Sequence, residues 1–134
     1  MKTTAFVIFT LISILLISCK KDEIYIDGNN PLLGTWNVSG YEDNNTTVYD
    51  RSTAFVDQYG YEFRTDGTVI ERKNAGWCGT PPITYADYTG TWKYINDTLV
   101  QIEIGYWGGM TTYQLDIESV DAEHLKAIYV YLGE

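Results

Sequence analysis

From Leu33 onward the chain alternates between apolar and polar positions in short runs, with turn residues between them. Trp36, Val38 and Gly40 share one side of a segment running from Leu33 to Tyr41, and Glu42-Asp43-Asn44-Asn45 interrupts it. Thr46 to Val56 fits a strand or a short helix around Ala54. Tyr59, Tyr61 and Phe63 then alternate with Gly60, Glu62 and Arg64, the period of two that marks a half-buried strand. Asp66-Gly67 supplies the positive φ of a hairpin turn, and Thr68 to Lys73 is the returning strand. After a loop from Asn74 to Pro82, Tyr88, Gly90, Trp92 and Tyr94 mark one face of a strand over Tyr85–Tyr94. Leu99 to Ile104, Thr111 to Glu118 and Leu125 to Leu132 follow, each separated by a turn. Tyr, Trp, Val, Ile and Thr dominate these runs, as β structure favours, and no window carries a helical stripe over three turns. The expectation is an all-β domain: a small antiparallel up-and-down meander of seven or eight strands. Closing it into a barrel hides its apolar face and removes its edges.

The pattern before Leu33 is different. Lys2 precedes an apolar run from Ala5 to Ile17, broken by Thr10 and Ser13 and ending in Leu16-Ile17-Ser18-Cys19. The run is short for a membrane span, which needs roughly 20 apolar residues, and suits a removed export signal. Leu16 to Cys19 resembles the lipobox of bacterial lipoproteins. That resemblance implies cleavage after Ser18, a signal peptide over 1–18, and acyl chains such as palmitate on Cys19. Lys20-Lys21-Asp22-Glu23 resembles the surface-export tag of Bacteroidota lipoproteins, which implies an outer-membrane lipoprotein facing outward. Residues 19–31 then read as a lipidated tether and 32–134 as the barrel domain. Loss of Lys2 leaves eight basic against eighteen acidic side chains, a formal charge of −10. Phosphate backbones repel such a chain, so nucleic acid is excluded as a partner, and the membrane is reached through Cys19 alone.

Within the domain, Gly34-Thr35-Trp36 resembles the Gly-x-Trp signature of lipocalins. Phe63-Arg64-Thr65-Asp66-Gly67-Thr68 and Gly90-Thr91-Trp92-Lys93-Tyr94 are similar to hairpins of bacterial lipocalin-like lipoproteins. The resemblance spans Leu33 to about Leu132 and implies a lipocalin-like barrel with Trp36 as a structural plug at its closed end. In lipocalins a late arginine packs over that tryptophan; here no arginine follows Arg72.

Candidate chemistry is sparse. The single histidine, His124, has no companion nitrogen or sulfur ligands, so no metal site is expected, and no cofactor motif appears. With Cys19 acylated, Cys78 stands alone in Gly76-Trp77-Cys78-Gly79, without a neighbouring base, and is expected to pack inertly under its loop. Asp57, Glu62, Glu71, Asp87 and Glu103 form no recognisable catalytic pair, and most are expected to face outward. No enzymatic activity is expected. The strongest remaining signal is aromatic: 12 Tyr and 4 Trp. Tyr61, Tyr88, Trp92 and Tyr113 are expected to wall a pocket at the open end for a small apolar or amphipathic ligand, neutral or cationic by preference. Arg64 or Arg72 are the candidates to meet an anionic one. The same rings equally suit a filled barrel, in which case Trp77, Tyr106 and Trp107 make the contacts of a structural or interaction module in a cell-surface complex. Finally, Asp97-Thr98-Leu99 resembles the O-glycosylation triplet of Bacteroidota exported proteins.

Overall fold

The computed structural model describes residues 26–133; the signal, Cys19 and the Lys20–Glu23 tag lie outside the described residues. Eight antiparallel strands close into a barrel: β1 (Gly34–Tyr41), β2 (Thr46–Ser52), β3 (Gly60–Phe63), β4 (Thr68–Asn74), β5 (Tyr85–Tyr94), β6 (Leu99–Tyr106), β7 (Gly109–Val120) and β8 (His124–Val130). From β3 to β8 each strand pairs with the next, as a meander requires. The start is arranged differently: β1 lies between β2 and β3, and β2 closes the ring against β8.

That departure resolves the ambiguous stretch from Thr46 to Val56. Its first part is β2, and the rest crosses the outer wall of β1 to reach β3. Trp36 and Val38 point inward, so Asn37 between them points out. There its amide donates to the Ala54 carbonyl at 3.0 Å and accepts from the Val56 amide at 3.2 Å. One side chain thus satisfies two backbone groups of a segment with no strand partner. Phe55 lies in the same crossover, with the Arg72 guanidinium 4.8 Å from its ring centre, and a side chain at Gly60 would strike that phenyl and the backbone of Trp36.

Strand polarity gives the barrel two unlike ends. The β3–β4, β5–β6 and β7–β8 turns meet at one end together with residues 26–33, and this end is closed. Trp36 is fully buried there and donates from Nε1 to the Leu32 carbonyl at 2.8 Å. Ile26 and Leu32 join the core beside it. Core packing therefore includes Ile26 and Leu32, the first of which lies in the stretch read from sequence as tether. The apolar Ile26 and the Asp27–Asn30 turn, closed by Asn30 N donating to the Asp27 carbonyl, fold back over the floor.

Arg51 locks this floor. It lies 4.1 Å over the Trp36 ring. Its Nη1 donates to the Leu33 carbonyl and Nη2 to that of Pro31, each at 2.6 Å, and Nε donates to that of Ala122 at 2.7 Å. The arginine missing from the end of the chain is thus supplied by β2, directly opposite Trp36 in the β1–β2 register. Gly34 makes it possible: its φ is +113°, and a Cβ there would come within 2.8 Å of Arg51 Nη1. Lysine presents a single charged point and cannot reproduce this fork. Arg51→Lys is expected to cost about 2 kcal/mol, since hydrogen bonds from charged groups contribute roughly 1.5–3 kcal/mol each. Chemical denaturation at unchanged m-value measures it.

Candidate functional site

The open end is formed by the β1–β2 turn, the β4–β5 loop, the β6–β7 turn and the chain after β8. On β4, Val69, Glu71 and Lys73 share the inward face, because Val69 pairs with Phe63 and Glu71 with Tyr61. Glu71 therefore points into the barrel, against the outward placement expected of these carboxylates. Nothing in the polar run Glu71-Arg72-Lys73-Asn74 marks which side is core; only the pairing with β3 does. Glu71 Oε2 accepts from Lys73 Nζ at 2.7 Å, and the two side chains are only 12% and 15% exposed. The ammonium also lies 5.2 Å from the centre of the Tyr88 ring.

Three tyrosines complete this network. The hydroxyls of Tyr61 and Tyr113 share a buried hydrogen bond of 2.8 Å, and Tyr61 makes a long 3.5 Å contact to Glu71 Oε1. Tyr49 tilts against Tyr61 at 5.7 Å. Burial, with the Glu71 charge adding to it, raises the phenols of Tyr61 and Tyr113 well above their ordinary value of 10, and Tyr49 is raised for the same two reasons. Tyr129, stacked on Tyr113 at 4.5 Å, is pushed up to about 12, first by burial.

Of the four residues expected to wall a pocket, Tyr61 and Tyr113 come together but are closed on each other. Tyr88 stands half-buried over Lys73. Trp92 does not share the mouth. It lies one ring deeper, edge-on to Phe63 at 5.1 Å, and its Nε1 donates at 3.0 Å to the carbonyl of Arg64 in the β3–β4 turn. Alternation had put all four on inward faces, but it does not tell depth along the barrel axis. Above Tyr61 remains a cavity of about 170 Å³, lined by Val38, Tyr41, Thr47, Tyr49, Tyr59, Gly60, Tyr61, Glu71 and Arg72. A drug-sized ligand occupies roughly 300–1,000 Å³. Arg64 pairs with Glu62 away from the cavity, and Arg72, at the cavity's edge, is held in a two-pronged pair with Asp87. The interior cation is Lys73.

Apolar exposure is concentrated around this mouth. Trp77 in the β4–β5 loop is 80% exposed, Trp107 in the β6–β7 turn 57% and Tyr131 after β8 80%; Tyr41 and Met110 are exposed beside them. At the closed end only Tyr94 and Ile95 are comparable among the described residues. Tyr106 and Trp107 meet edge-on at 5.6 Å.

Two single residues remain to be placed. His124 is a half-exposed partner of Asp50, at 2.9 Å, and among the described residues no three His, Cys, Asp or Glu side chains come together as a metal cage. Cys78 is exposed rather than packed, because the turn that carries it stands off the barrel. Hydrogen bonds from Thr80, the backbone one first, lower its thiol below the usual value. A thiolate is the reactive form, so the chain is expected to take up one equivalent of a disulfide reagent through Cys78 without unfolding. Peptide mass mapping checks this, and protection until denaturant is added would show a buried thiol.

Against known proteins, the chain matches no protein-family model, no curated protein and no solved structure.

Proposed function

We propose that this chain is a non-catalytic recognition module, held on the outer membrane by acyl chains on Cys19, that engages its ligand or partner at the aromatic rim rather than deep inside the barrel. One observation carries the reading. The interior is occupied by buried rings in mutual contact, Tyr61 on Phe63 and Phe63 on Trp92, and the cavity at its mouth, among the described residues, is small. Interiors packed this way behave as cores. Exposed aromatic side chains on loops held by a rigid scaffold are, by contrast, suited to recognition.

The orientation supports the same reading. Ile26, the first described residue, lies at the closed end. From Cys19 the intervening residues span at most roughly 25 Å when extended. A lipid on Cys19 therefore holds the floor toward the bilayer and leaves the rim free. Removing the thiol by Cys19→Ala is expected to abolish acylation and signal cleavage; an acylated, mature-length product would refute the anchor.

The interior-carrier reading predicts something different, and a titration separates the two. Palmitate, a lysolipid and a long-chain alkylamine are each added while tryptophan fluorescence is followed. No saturable quenching is expected from any of them. Photo-crosslinking residues placed at Trp77 or Trp107 are expected to capture one neighbour in the host envelope that a residue placed at the outer-wall Lys93 does not. Saturable quenching by an amphiphile, with no rim-specific neighbour, would restore the carrier. Thr98, exposed in the β5–β6 turn with its amide held by Asn96 Oδ1 at 3.0 Å, is accessible to the glycosylation its triplet suggests. Added hexose mass lost on Thr98→Ala supports that modification.

A further inference from the structure

We propose that the mouth cavity is a binding site for one neutral sugar ring, such as the terminal ring of a glycan. This rests on the reading that recognition occurs at the open end, and it names the ligand class there.

Size sets the first limit. At roughly 30 Å³ per water, a cavity of about 170 Å³ holds five or six waters, the bulk of a single six-membered ring with its hydroxyls. An alkyl chain has nowhere to go, because the Tyr61–Tyr113 hydroxyl pair closes the space beneath. Charge sets the second. An anion would meet the Glu71 carboxylate in a strongly acidic chain. A cation would have to compete with Lys73, whose ammonium already lies 2.7 Å from that carboxylate. The two charged residues of the lining are thus each paired already, Glu71 with Lys73 behind it and Arg72 with Asp87, and a neutral ligand is what they accept without leaving a buried charge uncompensated.

Chemistry sets the third. A half-buried ion pair in an otherwise apolar barrel is poor evidence of stabilisation, and well-packed apolar side chains would serve the core as well. What Glu71 offers is an acceptor at the cavity wall. The contact of Glu71 Oε1 with the Tyr61 hydroxyl is 3.5 Å, beyond good hydrogen-bond length, so this oxygen retains acceptor capacity. Thr47 and Tyr49, which carry hydroxyls, and the aromatic residues Tyr41 and Tyr59 line the same space. Flat apolar faces beside a carboxylate and hydroxyls complement a pyranose, whose faces are C–H and whose edges are hydroxyl.

The test uses the full chain in a polyoxyethylene-ether detergent, which carries neither sugar nor charge. Saturation-transfer NMR is recorded with glucose, galactose, mannose and N-acetylglucosamine, and with tetramethylammonium and acetate as charged probes of smaller bulk. At least one of the sugars is expected to bind with a Kd of about 1 mM, as suits so few atoms. Glu71→Gln is expected to weaken it at least tenfold with the circular dichroism unchanged, and Glu103→Gln, the same change on the outer wall, to leave it unaltered. Should Glu71→Gln not fold, Tyr41→Ala, an exposed ring at the mouth, is expected to produce a comparable loss. The proposal is overturned if no sugar shows transfer at ten times that concentration, if tetramethylammonium or acetate binds in their place, or if a sugar binds equally well to the Glu71 and Tyr41 variants. The rim reading fails separately, through the crosslinks at Trp77 and Trp107.

Discussion

Truncating Trp36 to alanine is expected to cost the domain about 3–5 kcal/mol, the usual range for deleting a buried aromatic. Several losses combine. The indole is fully buried in the floor, so the cavity cannot fill from solvent without wetting Ile26 and Leu32. The Leu32 carbonyl loses its donor. Arg51 loses the ring beneath its guanidinium, while its hydrogen bonds to Pro31, Leu33 and Ala122 still require it to remain at the floor. Small domains have about 5–15 kcal/mol in total, so the variant should melt far below the parent or fail to accumulate. Trp36→Phe keeps a ring under Arg51 and should lose less. A Trp36→Ala protein melting within a degree or two of the parent would mean that the floor does not depend on this ring.

The second large effect is alkaline. Tyr49, Tyr61 and Tyr113 are buried phenols whose folded-state values lie above the ordinary 10. The direction follows from linkage: where the folded state holds a proton that the unfolded state has released, stability falls as pH rises. The stabilisation is intact below pH 10 and is lost progressively above it. Each fully buried phenol contributes a slope of up to about 1.4 kcal/mol per pH unit. Three together remove about 4 kcal/mol per unit, enough to exhaust a typical domain within a few units. Tyrosinate absorbance and loss of β-sheet circular dichroism are therefore expected to rise together in one cooperative step above pH 10. Gradual ionisation at the ordinary value, with the dichroism intact, would show that these hydroxyls are open to solvent.

Both effects bear on function through the same division of the molecule. The floor, with Trp36, Arg51 and Gly34, and the ring-filled interior make a rigid stand. The mouth and its rim carry the polar pair, the small cavity and the exposed indoles. Damage to the floor should reduce binding only in proportion to the folded fraction, whereas Glu71→Gln should reduce binding in protein that remains folded. Measuring both on the same samples separates support from recognition.

The all-β character and most strand limits are legible along the chain alone, because alternation with a period of two reports directly which side chains share a face. Tyr61 with Phe63, and Tyr88 with Trp92, were legible for that reason, as was the Asp66-Gly67 turn. Gly34-x-Trp36 located the floor residue, though not what covers it. Tertiary structure decided what alternation cannot encode. A face does not specify depth, so Trp92 read as a mouth residue and lies near the floor. A polar run has no visible face, so Glu71 is expected to face outward, and only the pairing with β3 turns it and Lys73 inward. The late arginine of the lipocalin pattern has no counterpart in the sequence, and Arg51 of β2 takes its place over Trp36, because contact across a barrel follows register rather than sequence distance. The β1–β2–β3 order was likewise invisible: Asn37 captures the crossover through backbone groups of Ala54 and Val56 that any residue carries. Local pattern set the strands, and long-range pairing chose which side chains meet.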